Sequence, residues 1–228
     1  MQDCKNCVIR SKAVDTLSEE ELHVLMENCA EATFSAGEYI IKEGLLSSHV
    51  GYLKSGLAAV NKKGVKGIEQ ILKIVLPKNY IGLQTVLFEK TNQYAVKAIN
   101  ECIVCFIDNL SFKKLISRNP QFDEELLLFL CNEELTYFDR FVNWHQKQIN
   151  SRVADIILFF SENINNQALS FEIPLSRFDL SSLISTTRES LTRSIKELSE
   201  IKAVKVKGKK FQILDPELLK KISQNGHY

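Results

Sequence analysis

Arg188, Glu189, Thr192 and Arg193 stand at positions i, i+1, i+4 and i+5 of one short stretch, STTRESLTRSIKEL at 185–198. At 3.6 residues per turn these four share a helix face, with Lys196 beside them. Leu191, Ile195 and Leu198 then share the opposite face. Such a polar face can read base-pair edges. An arginine can donate two hydrogen bonds to guanine O6 and N7, and a glutamate can accept from cytosine N4. The same side chains could equally be solvated helix pairs, Arg188 with Thr192 and Glu189 with Arg193. By spacing alone, a groove-reading helix and a plain helical hairpin both remain open.

The elements that would hold this face flank it. The run PLSRFDLSSLISTTRESLTRSIKEL at 174–198 reads as two short helices and a tight turn. Ser176 lies three residues ahead of Asp179, and Thr186 three ahead of Glu189; each pair fits a capping box. In the second box Glu189 would be spent on the cap. Leu180, Leu183 and Ile184 would turn inward from the first helix. VKVKGKKFQIL at 204–214 alternates apolar residues with lysines around Gly208, the pattern of a hairpin. Two helices followed by a small basic hairpin make a winged helix-turn-helix. Residues 176–210 hold nine Lys/Arg against four Asp/Glu, an excess of +5, whereas the whole chain is only +1. A local excess suits phosphate contact, although lysines on a solvated face would give the same count.

The six cysteines are the other residues with chemistry to offer. Cys4-x-x-Cys7 opens the chain, and Cys102 and Cys105 lie in ECIVCFID. Thiolates hold iron–sulphur clusters and zinc, or act as redox switches. The plainer alternative is two exposed thiols near the start, the others being core residues. His145 falls on an apolar helical stripe, and His23 and His49 have no partner motif, so no haem site is assigned. The sequence has no nucleophile–base constellation, no phosphate-cradling glycine loop and no H-E-x-x-H, so an enzyme is not predicted.

The chain has 228 residues, 45% hydrophobic and 25% charged, which suits one or two globular domains with real cores. It shows no apolar run of membrane-span length and no signal-peptide core at the N-terminus, so a cytoplasmic, non-membrane protein with reduced cysteines is expected. Residues 17–29 have helical spacing. From Phe34 the period changes. GEYIIKEG, VGYLKSG, LAAV, IEQILKIVLP and AVKAINECIVCFI are short β-type runs broken by glycines, which predicts a β-roll or sandwich. Residues 109–119 read as a closing helix. Residues 123–161 form the longest helical pattern, with two stripes. One is Leu128, Cys131, Leu135, Phe138, Val142, His145 and Ile149; the other is Leu127, Leu130, Tyr137, Phe141 and Trp144. One stripe facing the β-domain and the other a partner helix would give a parallel pair across a homodimer; both facing an internal core is the alternative. The polar interruption at 146–151 is a candidate hinge. The expected fold is α+β: a sensor domain at 1–122, a dimerisation helix at 123–149 and a DNA-binding domain at 150–228.

This order of parts, with FSAGEYIIKEG, YLKSG and NYIGL in the roll, NSRVADIIL at the hinge helix and LSRFDLSSLISTTRESLTRSIKELSE after it, resembles the family of the cyclic-AMP receptor protein and the fumarate–nitrate regulator. The resemblance covers nearly the whole chain. It implies a cyclic-nucleotide-binding-like β-roll, a long dimerisation helix and a winged helix-turn-helix that binds double-stranded DNA, with RNA polymerase as a further partner. Arg188, Glu189 and Arg193 match the base-reading places of one branch, and Glu189, Thr192 and Arg193 those of the other. The implied half-site is of TGxxA type, read as a palindrome with half-sites about 34 Å apart. Ser176, Arg177 and Thr187 match phosphate-contacting places, and the wing lysines Lys207, Lys209 and Lys210 join them. Ser185 replaces the usual turn glycine and is expected at negative φ.

The resemblance also bears on the effector. The effector pocket maps to Gly82, Leu83, Gln93, Tyr94 and Ala95. Cyclic-nucleotide binders of the family have a glutamate where this chain has Leu83, and an Arg-Ser pair where it has Gln93-Tyr94. Lys90 and Lys97 are the cations left nearby. Tight cyclic-AMP binding is therefore not expected. The iron–sulphur branch implies ligands at Cys4, Cys7 and Cys105, but its remaining place is Ala13, which cannot ligate. Cys29 or Cys102 could stand in, the helical surroundings read for Cys29 arguing for burial.

Overall fold

A computed structural model describes residues 9–88 and 90–225. Its elements run α1 (Lys12–Asp15), α2 (Glu19–Glu27), β1 (Cys29–Phe34), β2 (Tyr39–Ile41), β3 (His49–Ser55), β4 (Ala58–Lys63), a 3-10 turn (Val65–Gly67), β5 (Glu69–Val75), β6 (Tyr80–Ile81), α3 (Gln84–Leu87), β7 (Ala95–Ala98), β8 (Cys102–Asp108), α4 (Asn109–Arg118), α5 (Pro120–Gln146), α6 (Ile149–Asn163), β9 (Ser170–Glu172), α7 (Arg177–Leu183), α8 (Arg188–Glu200), β10 (Val204–Lys207), β11 (Lys210–Ile213) and α9 (Pro216–Asn225). They form two compact units that divide within α5, between Glu134 and Leu135.

In the first unit two four-stranded antiparallel sheets are ordered β1-β8-β3-β6 and β2-β7-β4-β5. Ile40, Leu53, Val60, Val96 and Val104 fill the layer between them. The turn before β4 needs glycine: Gly56 has φ +87°, and a Cβ there would lie 2.1 Å from the Glu101 carbonyl. The outer face of the β1-β8-β3-β6 sheet is covered by helices. Tyr52 and Tyr80 pack there with Leu22 and Leu25 of α2, Phe112 and Leu115 of α4, and Phe122 and Leu126 of α5. Ser18 caps α2 in a two-way capping box with Glu21, and Asp108 caps α4 through the Ser111 N–H at 2.8 Å.

Several expectations are corrected here. Cys29 does not lie in a helix; α2 ends at Glu27 and Cys29 opens β1, half buried. On α5, neither stripe packs on the roll as drawn. The packed face is Phe122, Leu126, Phe129 and Leu130, of which only Leu130 belonged to a stripe. Leu127, Leu128, Leu135, Tyr137, Phe138, Phe141 and Val142 are exposed on the single chain, so an internal core does not account for them either. The helical pattern at 123–161 does break inside the polar interruption read at 146–151, at Lys147 and Gln148 alone.

In the second unit α6 buries Val153, Ala154, Ile157 and Phe160, and α9 adds Leu219 and Ile222. Asp155 of α6 accepts from Lys147 Nζ at 2.8 Å and from Ser223 Oγ at 2.5 Å. The hairpin read at 204–214 forms as β10 and β11, with Gly208 at φ +60° in its turn. A third strand that the pattern did not reveal, β9, pairs with β11 to give the order β10-β11-β9. Three residues are too few for a period-2 signal to stand out.

Candidate nucleic-acid interface and sensor pocket

The helix pair α7–α8 is built from its caps inward. Ser176 starts α7: its Oγ accepts from the Asp179 N–H at 3.1 Å and donates to Asp179 Oδ2 at 2.6 Å. Leu180, Leu183 and Ile184 are buried as read from the sequence, and so are Leu191, Ile195 and Leu198 of α8. The second cap differs from the expectation. Thr187, not Thr186, is the N-cap, accepting from the Ser190 N–H at 3.2 Å. Glu189 is therefore the second residue of the helix and is not held by a capping box with Thr186. Bonding to its own backbone N–H, then to the Thr187 hydroxyl, holds the Glu189 carboxyl below the usual carboxylate range.

Ser185 also departs from the expectation, because its φ is +50°. The turn keeps the left-handed conformation that a glycine would adopt, and serine bears the cost. The carbonyls around it are satisfied by arginines. Arg152 Nη1 donates to the Ile184 and Ser185 carbonyls at 2.9 and 3.2 Å. Arg140 Nη2 donates to the Leu183 carbonyl at 3.2 Å. Arg140 lies 5.5 Å from the Trp144 ring centre, and burial pushes its guanidinium down to about 10. Cations at the C-terminal end of α7 also complement its dipole. Sequence reading missed both arginines; isolated Arg residues on α5 and α6 carry no local signal of what they cap.

Arg188, Glu189, Thr192, Arg193 and Lys196 are all exposed on one side of α8. Thr192 Oγ1 donates back to the Arg188 carbonyl at 2.8 Å. Arg193 also borders a cleft of about 410 Å³ lined by Gln148, Ile149, Asn150, Arg152, Ser190, Ser194 and Glu197. Of the proposed phosphate contacts, Ser176, Thr187, Lys207, Lys209 and Lys210 are exposed. Lys209 Nζ donates to the Pro174 carbonyl at 3.1 Å. Arg177 is half buried: Nη2 donates to the Gly208 carbonyl at 2.9 Å, and the guanidinium sits 5.2 Å from the Phe211 ring centre. It ties the wing to α7.

In the roll, Gly82 has φ +76° at the end of β6. Its N–H donates to the Tyr94 hydroxyl at 3.2 Å, and that hydroxyl donates to Gln84 Oε1 at 2.9 Å. Burial pushes the Tyr94 phenol up, so it stays neutral. The cavity left between Gly82, Thr85, Asn92 and Tyr94 is about 10 Å³, room for about one water. Leu83 and Ala95 are buried in the core, and Gln93 is exposed. Lys97 lies over the Tyr39 ring at 5.6 Å.

Cys4 and Cys7 lie outside the described residues. Cys105 is buried, and Cys29 and Cys105 line one cavity on the helix-covered face of the roll. Cys102 is buried between the sheets with its thiol donating to the Leu57 carbonyl at 3.2 Å. Among the described residues no group of three or more His, Cys, Asp or Glu converges as a metal site. His145 Nδ1 donates to the Phe141 carbonyl at 2.8 Å, within its own helix. Among the described residues no helix is long and apolar enough to cross a membrane.

A profile of the cyclic nucleotide-binding domain matches residues 31–119, and one of the Crp-like helix-turn-helix domain matches residues 151–222. The chain belongs to the CRP/FNR family of transcription regulators. It is similar to the transcriptional activator protein FnrL of Cereibacter sphaeroides, 21% identical over 92% of this chain and 87% of that one. It is similar too to the nitrogen fixation regulation protein FixK of Bradyrhizobium diazoefficiens, 23% identical over 93% and 90%. Among solved structures, FixK2 from Bradyrhizobium japonicum shares the fold at a TM-score of 0.76 with 21% identity, covering 85% of this chain and 96% of that one. A CRP/FNR regulator from Eubacterium rectale does so at 0.78 with 14% identity, covering 94% and 98%. A roll, a long helix and a DNA-binding helix-turn-helix is thus the family's architecture and this chain's. Members of the family regulate transcription.

Proposed function

We propose that the chain acts as a homodimer that reads a palindromic DNA site with half-sites of TGxxA type. Arg188, Glu189, Thr192 and Arg193 contact base edges. Ser176, Thr187, Lys207, Lys209 and Lys210 contact phosphates, and Arg177 contributes by holding the wing. The observation that carries this reading is the two-sided α8. Leu191, Ile195 and Leu198 are buried while the four polar residues are exposed behind a firm N-cap. The exposed apolar face of α5 supports pairing of two copies, because a face of that size on a soluble helix needs a partner. The dimer places two reading heads about one helical turn apart. A signal in the roll shifts the balance between two arrangements of the heads. RNA polymerase is a further partner, by analogy with the family. The domain division at 1–122, 123–149 and 150–228 belongs to the same reading.

The signal is not tight cyclic-AMP binding. Tyr94 already occupies the polar rim that Gly82 presents, and the remaining space is far smaller than a nucleotide. A second reading of the sensor, a metal- or redox-responsive one, is supported by the cavity that Cys29 and Cys105 share.

A gel-shift titration tests the proposal. A dimer should prefer a symmetric TGxxA operator over scrambled duplex by about 4–10 kcal/mol, with affinity falling steeply as salt rises. A monomer with equal affinity for both duplexes would refute it.

A further inference from the structure

The cleft between α6 and α8 holds polar groups that the packing of the two helices leaves unused. Every residue that lines it belongs to the second unit, and its volume of about 410 Å³ suits a small molecule. Ser194 lines it at 2% exposure, and its Oγ has no hydrogen-bond partner among the described residues. Arg152 lines it too. Its Nη1 is engaged by the turn carbonyls, but its buried Nε has no partner among the described residues. Buried polar atoms are nearly always paired, so two orphaned donors beside one cleft call for an occupant that accepts.

The rest of the lining points the same way. The 15-residue α6 begins here, and its N-cap Gln148 makes no side-chain capping bond. Such a helix start carries partial positive charge and attracts anions. Ser190 Oγ accepts from Thr187 Oγ1 at 3.1 Å and keeps its own hydrogen to give. Arg193 stands exposed at the rim. Glu197, the carboxylate of the lining, is engaged by Asn150 Nδ2 at 2.9 Å. Donors in this number suit a phosphate group, with its three acceptor oxygens, better than a planar carboxylate. The DNA backbone is one source of phosphate. There each group is tied into its strand on both sides and rides over exposed side chains such as Ser176 and Lys207. A hydroxyl as deep as that of Ser194 favours a free phosphate that can enter.

We infer that the cleft between α6 and α8 binds a small phosphomonoester, with its phosphate at the start of α6 among Ser190, Ser194 and Arg193. Bound there, the ligand draws Arg193 to itself, so ligand and operator exclude one another. The binding stands on the cleft alone; the exclusion rests on the reading of Arg193 as a base contact. The site gives the second unit a signal of its own, separate from any effector of the roll.

The test uses the full chain with orthophosphate as the probe, first without DNA. Calorimetry against a chloride buffer of equal ionic strength should show saturable binding. Ser194→Ala removes a hydroxyl with no partner to lose, so its melting temperature should hold or rise while phosphate affinity falls about tenfold. Arg193→Ala should weaken phosphate binding likewise, and Lys220→Ala on α9, outside the lining, should not. Should Ser194→Ala fail to fold, Arg193→Ala at its exposed position decides on the same measurement. Gel shifts follow at constant ionic strength: phosphate replacing chloride should weaken operator binding by wild type, and less so by Ser194→Ala. Absence of saturable phosphate binding in wild type, or equal affinity in Ser194→Ala, would overturn the inference. So would weaker operator binding in Ser194→Ala without any binding of free phosphate, which would give the cleft to the DNA backbone. A chain that binds phosphate but prefers no operator would support the cleft's ligand and refute the reading of Arg193, so the two failures stay distinguishable.

Discussion

The Arg177 guanidinium donates to the Gly208 carbonyl at 2.9 Å, so the first residue of α7 fastens the tip of the β10–β11 hairpin. Its plane also covers the Phe211 ring at 5.2 Å. Arg177→Ala should therefore loosen the wing, costing about 1–3 kcal/mol from the lost bond and ring contact. Arg177→Lys keeps the charge but not the planar fork. Urea unfolding of both variants checks this. Full recovery by lysine would show that only the charge matters.

Arg193 and Lys209 should behave differently on DNA. Arg193→Ala should cost about 1–3 kcal/mol on the operator and relax one base position. Lys209→Ala should weaken all sequences alike and lower the salt slope by about 1. Competition binding against operators mutated one base at a time separates the two. Identical profiles would remove Arg193 from the base-reading face.

Ser185 holds φ +50° between α7 and α8. Ser185→Gly should stabilise the second unit by about 0.5–1 kcal/mol, since relief of the left-handed penalty outweighs the added chain entropy. A β-branched valine at the same place should destabilise it. Thermal melts of the three chains give the order, and a glycine variant less stable than wild type contradicts the account.

Acid should weaken the first unit. The Ser111 N–H holds the Asp108 carboxyl below its ordinary range, the Ser18 N–H does so for Glu21, and Lys62 for Glu43. Each folded value lies below the unfolded one. The stabilisation is thus fully present above about pH 4–4.5 and is lost as pH falls through the folded values. Urea midpoints measured from neutral pH downward should drop in that window, and less so for Asp108→Asn. A flat profile would show that these caps carry no pH-dependent stability.

Cyclic AMP should bind more weakly than micromolar. Tyr94 blocks the space, and neither Leu83 nor Gln93 supplies the charge that a ribose hydroxyl or a cyclic phosphate needs. Titration calorimetry decides, and a micromolar or tighter dissociation constant would show that the pocket opens.

Much of this protein is legible in the residue order alone, where the signal is local. The caps at Ser18 and Ser176, the inward leucines of α7 and α8 and the alternation around Gly208 each depend on residues within one or two turns, so period and cap chemistry reveal them. The polar face of α8 follows from the same periodicity. What needed the tertiary structure is everything set by residues far apart in the chain. Cys29 and Cys105 come to line one cavity because β1 pairs with β8, a register no spacing announces. Tyr94 closes on Gly82 across a loop, and Arg140 and Arg152 find the carbonyls of α7 more than thirty residues away. The packed face of α5 was misread for a related reason. An apolar helix residue looks the same in sequence whether it meets its own sheet or stays exposed, and only the position of that sheet chooses Phe122, Leu126 and Phe129.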